Sequence, residues 1–167
     1  MERVCVYLGS RPGADPAYAA AVRDLARACA ARDIGIVYGG AHVGLMGVLA
    51  DAALERGAEV TGIIPEGLVR REVAHPGITD LRVVASMHER KALMEDLSDG
   101  FIAAPGGVGT LEELIEVYTW QLLGIHAKPI GLLDTAGYWQ PLVAWLDHAV
   151  RTQFLRPEHR DLCQAAK

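Results

Sequence analysis

Short apolar runs alternate with longer stretches of helical length along most of this chain. Residues 4–8, 34–38, 60–64, 81–85, 101–104 and 130–133 are nearly continuous in apolar side chains and read as strands. Residues 16–32, 44–56, 89–97, 111–123 and 139–150 lie between or after them and read as helices. Beyond residue 150 the pattern fades, and no element is predicted there. Strands that are apolar on both sides, rather than alternating, are buried on both faces. Strand–helix alternation then predicts an α/β fold, a Rossmann-like doubly wound parallel sheet with helices on both faces.

In such sheets the loops leaving the carboxyl ends of the strands gather on one rim, where ligands bind. Four rim loops stand out: Gly9-Ser10-Arg11-Pro12-Gly13, Gly39-Gly40, Ser86-Met87-His88, and Pro105-Gly106-Gly107-Val108-Gly109-Thr110. The last is the richest. An apolar strand enters a glycine turn, which delivers Thr110 at a predicted helix start with Glu112 and Glu113 just beyond. Glycines let the backbone come close to a ligand, and the free N–H groups of a helix N-terminus attract phosphate. Carboxylates do not help to hold a phosphate, so the glutamates point to another part of a phosphorylated ligand. Any one of these loops is equally a tight turn; the four together predict a nucleotide-type site. Gly-x-x-x-x-Gly-Lys-Ser/Thr is absent, the glycines from Gly39 to Gly47 have the wrong spacing for a dinucleotide fingerprint, and no His/Cys cluster indicates a metal. His75 reads as a surface or loop residue.

Arg90 falls on the same helical face as Leu93, Met94 and Leu97. A guanidinium at a core edge needs an anionic partner or a route to water. It either meets a ligand or a site carboxylate, or its stem snorkels over the core edge. Glu113 also has two readings. Thr110 and Glu113 fit a Thr-x-x-Glu capping box, which would make Glu113 a helix cap rather than a site carboxylate.

Composition narrows the picture. The chain's 167 residues fit one domain, residues 1–167, which the rim loops make a nucleotide-binding one. A net charge of −5 argues against a nucleic acid polymer as partner and is compatible with one small phosphate. The longest uncharged stretch, residues 34–50, holds five glycines and does not read as a membrane span. Cys5, Cys29 and Cys163 are far apart and suit a reducing cytoplasm. The strand-like run at residue 4 leaves no room for a signal peptide.

Two longer motifs carry a resemblance. Pro105-Gly106-Gly107-Val108-Gly109-Thr110-Leu111-Glu112-Glu113 follows Pro-Gly-Gly-x-Gly-Thr-x-x-Glu, and Met87-His88-Glu89-Arg90-Lys91 follows Met-x-x-Arg-Lys. With Tyr38-Gly39-Gly40, Ile64-Pro65, Glu72, Thr119-Trp120-Gln121 and Leu123-Gly124-Ile125-His126, the chain resembles the Lonely Guy (LOG) family from Val4 to about Leu162. The resemblance implies a homodimeric phosphoribohydrolase. Such an enzyme cuts the N-glycosidic bond of a cytokinin riboside 5′-monophosphate, or of AMP, and needs no cofactor. It makes Arg90 and Glu113 the catalytic pair. It assigns nucleotide contacts to Gly9, Ser10, Gly39, Gly40, Glu72, Met87, Lys91, Gly106, Gly107, Val108, Gly109, Thr110, Leu111, Glu112 and Thr119. Breaking a ribosyl bond builds positive charge on the sugar, which a carboxylate can stabilise.

The chain departs from the family at Ala41, where a third glycine is common, and at Leu8-Gly9-Ser10-Arg11, where Cys-Gly-Ser-Ser is common. Both changes touch the nucleotide pocket. Two rivals are a pyridoxal-phosphate lysine decarboxylase and a non-catalytic nucleotide or molybdenum-cofactor carrier on the same fold. The first must use Lys91, Lys128 or Lys167, the only lysines; the second does not account for the complete Arg90 and Glu113 motifs.

Overall fold

The strands of the computed structural model are β1 (Arg3–Tyr7), β2 (Gly35–Tyr38), β3 (Val60–Pro65), β4 (Asp80–Val84), β5 (Phe101–Ala103), β6 (Ile130–Leu133) and β7 (Cys163–Ala166). They form one sheet in the order β4-β3-β2-β1-β5-β6-β7, and every pairing is parallel. The structure describes residues 1–69 and 73–166; Glu72, a predicted nucleotide contact, lies outside the described residues.

The helices are α1 (Pro16–Ala30), α2 (Gly44–Leu54), α3 (Met87–Asp96), α4 (Val108–Leu122), α5 (Gln140–Arg151) and the short α6 (Pro157–Arg160). Successive residues of a strand point to opposite faces. Val4 and Val6 of β1 therefore join a core with α1 and α2, while Cys5 and Tyr7 join one with α3, α4 and α5. This is the doubly wound, two-faced arrangement that the continuous apolar strands predict.

The chain builds outward from β1 to β4 and then returns to place β5 on the other side of β1. The connections diverge between β1 and β5, and the crevice beyond their carboxyl ends is where such sheets bind ligands. It is flanked by the loop after Tyr7 and the glycine turn after Ala103.

The tail corrects the sequence reading. Residues after 150 contain α6 and the edge strand β7. Only Cys163 of β7 is buried, so no apolar run announces it; pairing with β6, from Ile130↔Cys163 to Leu133↔Ala166, orders it.

Candidate active site

The rim loops are laced together by their backbones. Gly9 N–H donates to Pro105 O at 3.0 Å, and Leu45 N–H donates to Gly9 O at 3.0 Å. A Cβ on Gly9 would sit 3.0 Å from Arg11 O and 3.2 Å from Gly106 Cα, and one on Gly106 would overlap Thr110 Oγ1. Glycine is thus required where these two loops touch. Gly40 has φ +77°, which shapes the turn after β2 against β3.

Helix α4 starts at Val108, three residues earlier than the sequence predicts, with Gly107 as its N-cap and no side-chain cap. Its first N–H groups therefore have no capping side chain over them. Thr110 lies inside the first turn, buried against Gly106. The Thr110–Glu113 capping box is not formed, because the cap position belongs to Gly107.

Glu113 instead faces Arg90. Glu113 Oε1 lies 3.2 Å from Arg90 Nη2, with the side chains only 10% and 8% exposed. Local signals bring Arg90 there. Ser86 caps α3 by accepting from Glu89 N–H at 3.1 Å, while Glu89 Oε2 accepts from Ala85 N–H at 2.9 Å. The helix thereby begins at Met87 and turns Arg90 inward. Arg90 Nη1 reaches Met87 Sδ at 3.7 Å, and buried Nε has no hydrogen-bond partner among the described residues. A Cβ on Gly39 would overlap Arg90 Nη2, so the glycine after β2 makes room for the guanidinium.

Around this pair lies a cavity of about 280 Å³. Of the sequence-predicted residues, Ser10, Gly39, Met87, Arg90, Gly107, Val108, Gly109, Thr110, Glu112 and Glu113 line it. Gly9 and Gly106 line an adjoining cavity of about 350 Å³ that shares Ser10 and Gly107 with the first. Leu111 is exposed beside the site. Lys91 is committed to the protein: its Nζ lies 2.5 Å from Glu112 Oε1 and 3.0 Å from Glu116 Oε1. Burial pulls its pKa down, but the two carboxylates outweigh this and leave it raised. Thr119 is exposed and roughly 18 Å along the axis of α4 from Gly107, which separates it from the cavity within one chain.

Tyr7 and Tyr138, both at the site, are absent from the sequence reading. Tyr7 lines the cavity at the end of β1. Burial first, then the neighbouring Cys5 and the charge of Glu113, push its pKa well above the ordinary phenol value, so it stays neutral. Tyr138 lines the adjoining cavity, and its hydroxyl donates to Gly106 O. It follows the carboxyl end of β6, so the rim rule could have flagged it.

Among the described residues, His42, Asp51 and His75 are grouped closely enough to hold a metal ion. His75 is buried, not a surface residue, and its Nε2 lies 3.0 Å from Asp51 Oδ1. Gly77 N–H donates to His75 Nδ1 at 3.1 Å, which puts the ring proton on Nε2, facing Asp51. A metal-bound imidazole needs the opposite arrangement, with its free nitrogen donating. The group reads as a hydrogen-bonded clasp between α2 and the Ala41↔Ala74 bridge.

Residues 46–167 match a protein-family model described as possible lysine decarboxylase. The chain is 46% identical over 164 residues to a cytokinin riboside 5′-monophosphate phosphoribohydrolase of Arabidopsis thaliana, covering 98% of this chain and 76% of that protein. It is 49% identical over 158 residues to the protein of the same name from Rhodococcoides fascians, covering 94% and 80%. Among solved structures, the molybdenum cofactor binding protein of Rippkaea orientalis superposes with a TM-score of 0.74 at 22% identity, over 99% of this chain and 88% of that one. The Moco carrier protein of Chlamydomonas reinhardtii gives 0.72 at 18% identity, with the same coverage. At these identities the structures share the fold alone.

Proposed function

The chain belongs to the Lonely Guy (LOG) family of cytokinin riboside 5′-monophosphate phosphoribohydrolases, and on that premise we propose that it hydrolyses the N-glycosidic bond of a cytokinin riboside 5′-monophosphate or of AMP. The products are the free base and ribose 5-phosphate. The observation that carries this reading is the buried Arg90–Glu113 pair set beside the N-terminus of α4, whose cap Gly107 puts no side chain over its N–H groups, in one cavity.

The 5′-phosphate sits on the N–H groups from Gly107 to Thr110, favoured by the helix dipole. Its ribose then faces Glu113. As the bond from C1′ to the base nitrogen breaks, the electron pair leaves with the base and positive charge builds on the sugar. Glu113 stabilises that charge and orients the water that attacks C1′. Arg90 holds Glu113 through a charge-assisted hydrogen bond. The water supplies the hydroxyl at C1′ and the proton that ends on the base. No step calls for a metal or organic cofactor.

A decarboxylase through pyridoxal phosphate would need a lysine with a free amine to hold the cofactor. Lys91 is held between Glu112 and Glu116 with a raised pKa, and Lys128 Nζ lies 2.5 Å from Glu95 Oε1. The first setting favours the charged ammonium, and the second ties the amine into an ion pair. Lys167 lies outside the described residues. The molybdenum-cofactor proteins share the fold and supply no argument for a carrier role.

The whole chain acts as one nucleotide-binding α/β domain, as a homodimer in the cytoplasm. Exposed Met87, Val108 and Leu111 beside the site support a partner surface there. Three free, buried cysteines fit a reducing compartment. Among the described residues no helix is long and apolar enough to cross a membrane, and the net charge of −5 does not suit a nucleic acid polymer.

The test is product analysis after incubation with AMP and with the 5′-monophosphates of isopentenyladenine and zeatin ribosides. Free base and ribose 5-phosphate are expected. Intact nucleotide, or nucleoside plus inorganic phosphate, would overturn the reading.

A further inference from the structure

We propose that Tyr138 is a positioning residue: its hydroxyl, by holding the Gly106 carbonyl, aims the Gly107 N–H into the Arg90–Glu113 cavity. This rests on the hydrolase reading above and adds a residue to it.

The argument starts from the freedom of the turn. A peptide plane between two glycines is the least restrained in a chain, because no Cβ opposes its rotation. A Cβ on Gly107 would meet nothing within 4 Å, so packing does not fix that residue. Yet a phosphate-binding turn must present N–H groups and keep carbonyl oxygens away. If the Gly106–Gly107 plane rotated by half a turn, it would direct a carbonyl at the phosphate in place of a donor.

Hydrogen bonds to the carbonyls prevent this. Pro105 O accepts from Gly9 N–H at 3.0 Å, Gly107 O accepts from Leu111 N–H at 3.1 Å, and Gly106 O accepts from the Tyr138 hydroxyl. Of these three donors only the tyrosine is a side chain. In a trans peptide the C=O and the following N–H point in opposite directions. With Gly106 O drawn toward Tyr138, the Gly107 N–H points away from it. Gly107 lines both cavities, whereas Tyr138 lines only the adjoining one, so that direction is toward Arg90 and Glu113.

The hydroxyl is itself placed by rigid elements. The Tyr138 ring meets Tyr18 edge-on at 5.7 Å and Trp139 edge-on at 5.2 Å. Trp139 is tied to the end of β5 by its indole N–H, which donates to Ala103 O at 3.0 Å, and its backbone N–H donates to Asp134 Oδ1 at 2.7 Å. Tyr138→Phe therefore keeps the ring contacts and removes the hydrogen bond alone.

The experiment compares wild type and Tyr138→Phe by kcat and KM on AMP and on adenosine, and by calorimetric binding of ribose 5-phosphate. The expected result is a weakening of about tenfold or more in KM for AMP and in Kd for ribose 5-phosphate, the loss of one oriented donor to an anion. On adenosine, kcat/KM should stay within about twofold, since no phosphate is present to lose a contact. The AMP-to-adenosine ratio is internal to each preparation, so partial unfolding of the variant does not disturb it. An unchanged ratio, or an equal fall on both substrates, overturns the proposal. If wild type cleaves neither substrate, the hydrolase reading fails by itself. Ribose 5-phosphate binding still decides the role of Tyr138: weaker binding in Tyr138→Phe supports it, and equal binding overturns it.

Discussion

Replacing Glu113 by Gln separates the ion-pair and capping accounts of this residue by stability as well as by rate. Gln serves in a capping box, so a cap would survive the change almost unaltered. In the structure Glu113 is in the second turn of α4, 10% exposed and 3.2 Å from Arg90 Nη2. The substitution keeps the shape and removes the charge. Arg90 cannot shed its proton, so it stays cationic while its side chain is only 8% exposed. Stripping the partner from a fully buried ion costs about 3–5 kcal/mol. The Gln oxygen still accepts one hydrogen bond and the cavity admits water, which lowers the expected cost to about 1–3 kcal/mol. At about 2–4 °C per kcal/mol for a chain of this size, the melting temperature should fall by about 2–12 °C. Arg90→Met in the Glu113→Gln background removes the stranded cation, so the double variant should recover stability relative to Glu113→Gln. The coupling between the two positions should be on the order of 1 kcal/mol. Hydrolysis of AMP should fall about a hundredfold or more in each single variant and in the pair. Melting curves and rates are measured on the same preparations. A Glu113→Gln protein that melts like wild type, with no coupling to Arg90→Met, would refute the ion-pair account. Near-normal turnover would remove Glu113 from the chemistry.

Gly39→Ala places a methyl group on Arg90 Nη2 and should lower kcat on AMP by about tenfold or more. Gly67→Ala, which meets nothing within 4 Å, should match wild type, and equal turnover in both variants would show that the position of Arg90 does not matter. Burial pushes the Cys163 thiol up to about 11 and raises those of Cys5 and Cys29 as well. At pH 8 a thiol reagent should therefore label native protein slowly and denatured protein at once; rapid native labelling would contradict this. For the same groups the unfolded chain ionises first, near the ordinary thiol value of 9.0. Their contribution to stability is full below that pH and lost as pH rises from there toward 11. Urea midpoints at pH 8 and pH 10 should show the decline, and a higher midpoint at pH 10 would reverse the sign.

The sheet and its rim were legible because their signals are local. Apolar runs mark the strands, and glycine turns mark the loops at their carboxyl ends. The start of α4 was not. Val108 and Gly109 are poor helix formers, and Thr110 with Glu113 imitates a cap, so only the packing of the β1 and β5 loops reveals Gly107 as the true one. The capping serine of α3 was visible in Ser86-Met87-His88-Glu89, yet the predicted helix began two residues late. Strand β7 gave no sign because its order comes from β6 and not from its own side chains. Arg90 and Glu113 were both legible as candidates, but their contact spans two helices, and no spacing along the chain expresses it. Lys91 looked like a ligand contact from its motif, whereas the fold gives it two carboxylates of α4. Nothing in the sequence singled out Tyr138, since what distinguishes it is the carbonyl across the crevice.

The most direct test of the account is the ratio of kcat/KM for AMP to that for adenosine in the wild-type protein, with free adenine measured as product. If the turn from Gly107 to Thr110 holds the 5′-phosphate through several charge-assisted hydrogen bonds, losing them costs at least about 2–3 kcal/mol, or roughly 30–150-fold. The account predicts a ratio of that size or greater. Equal rates of adenine release from AMP and adenosine would contradict it.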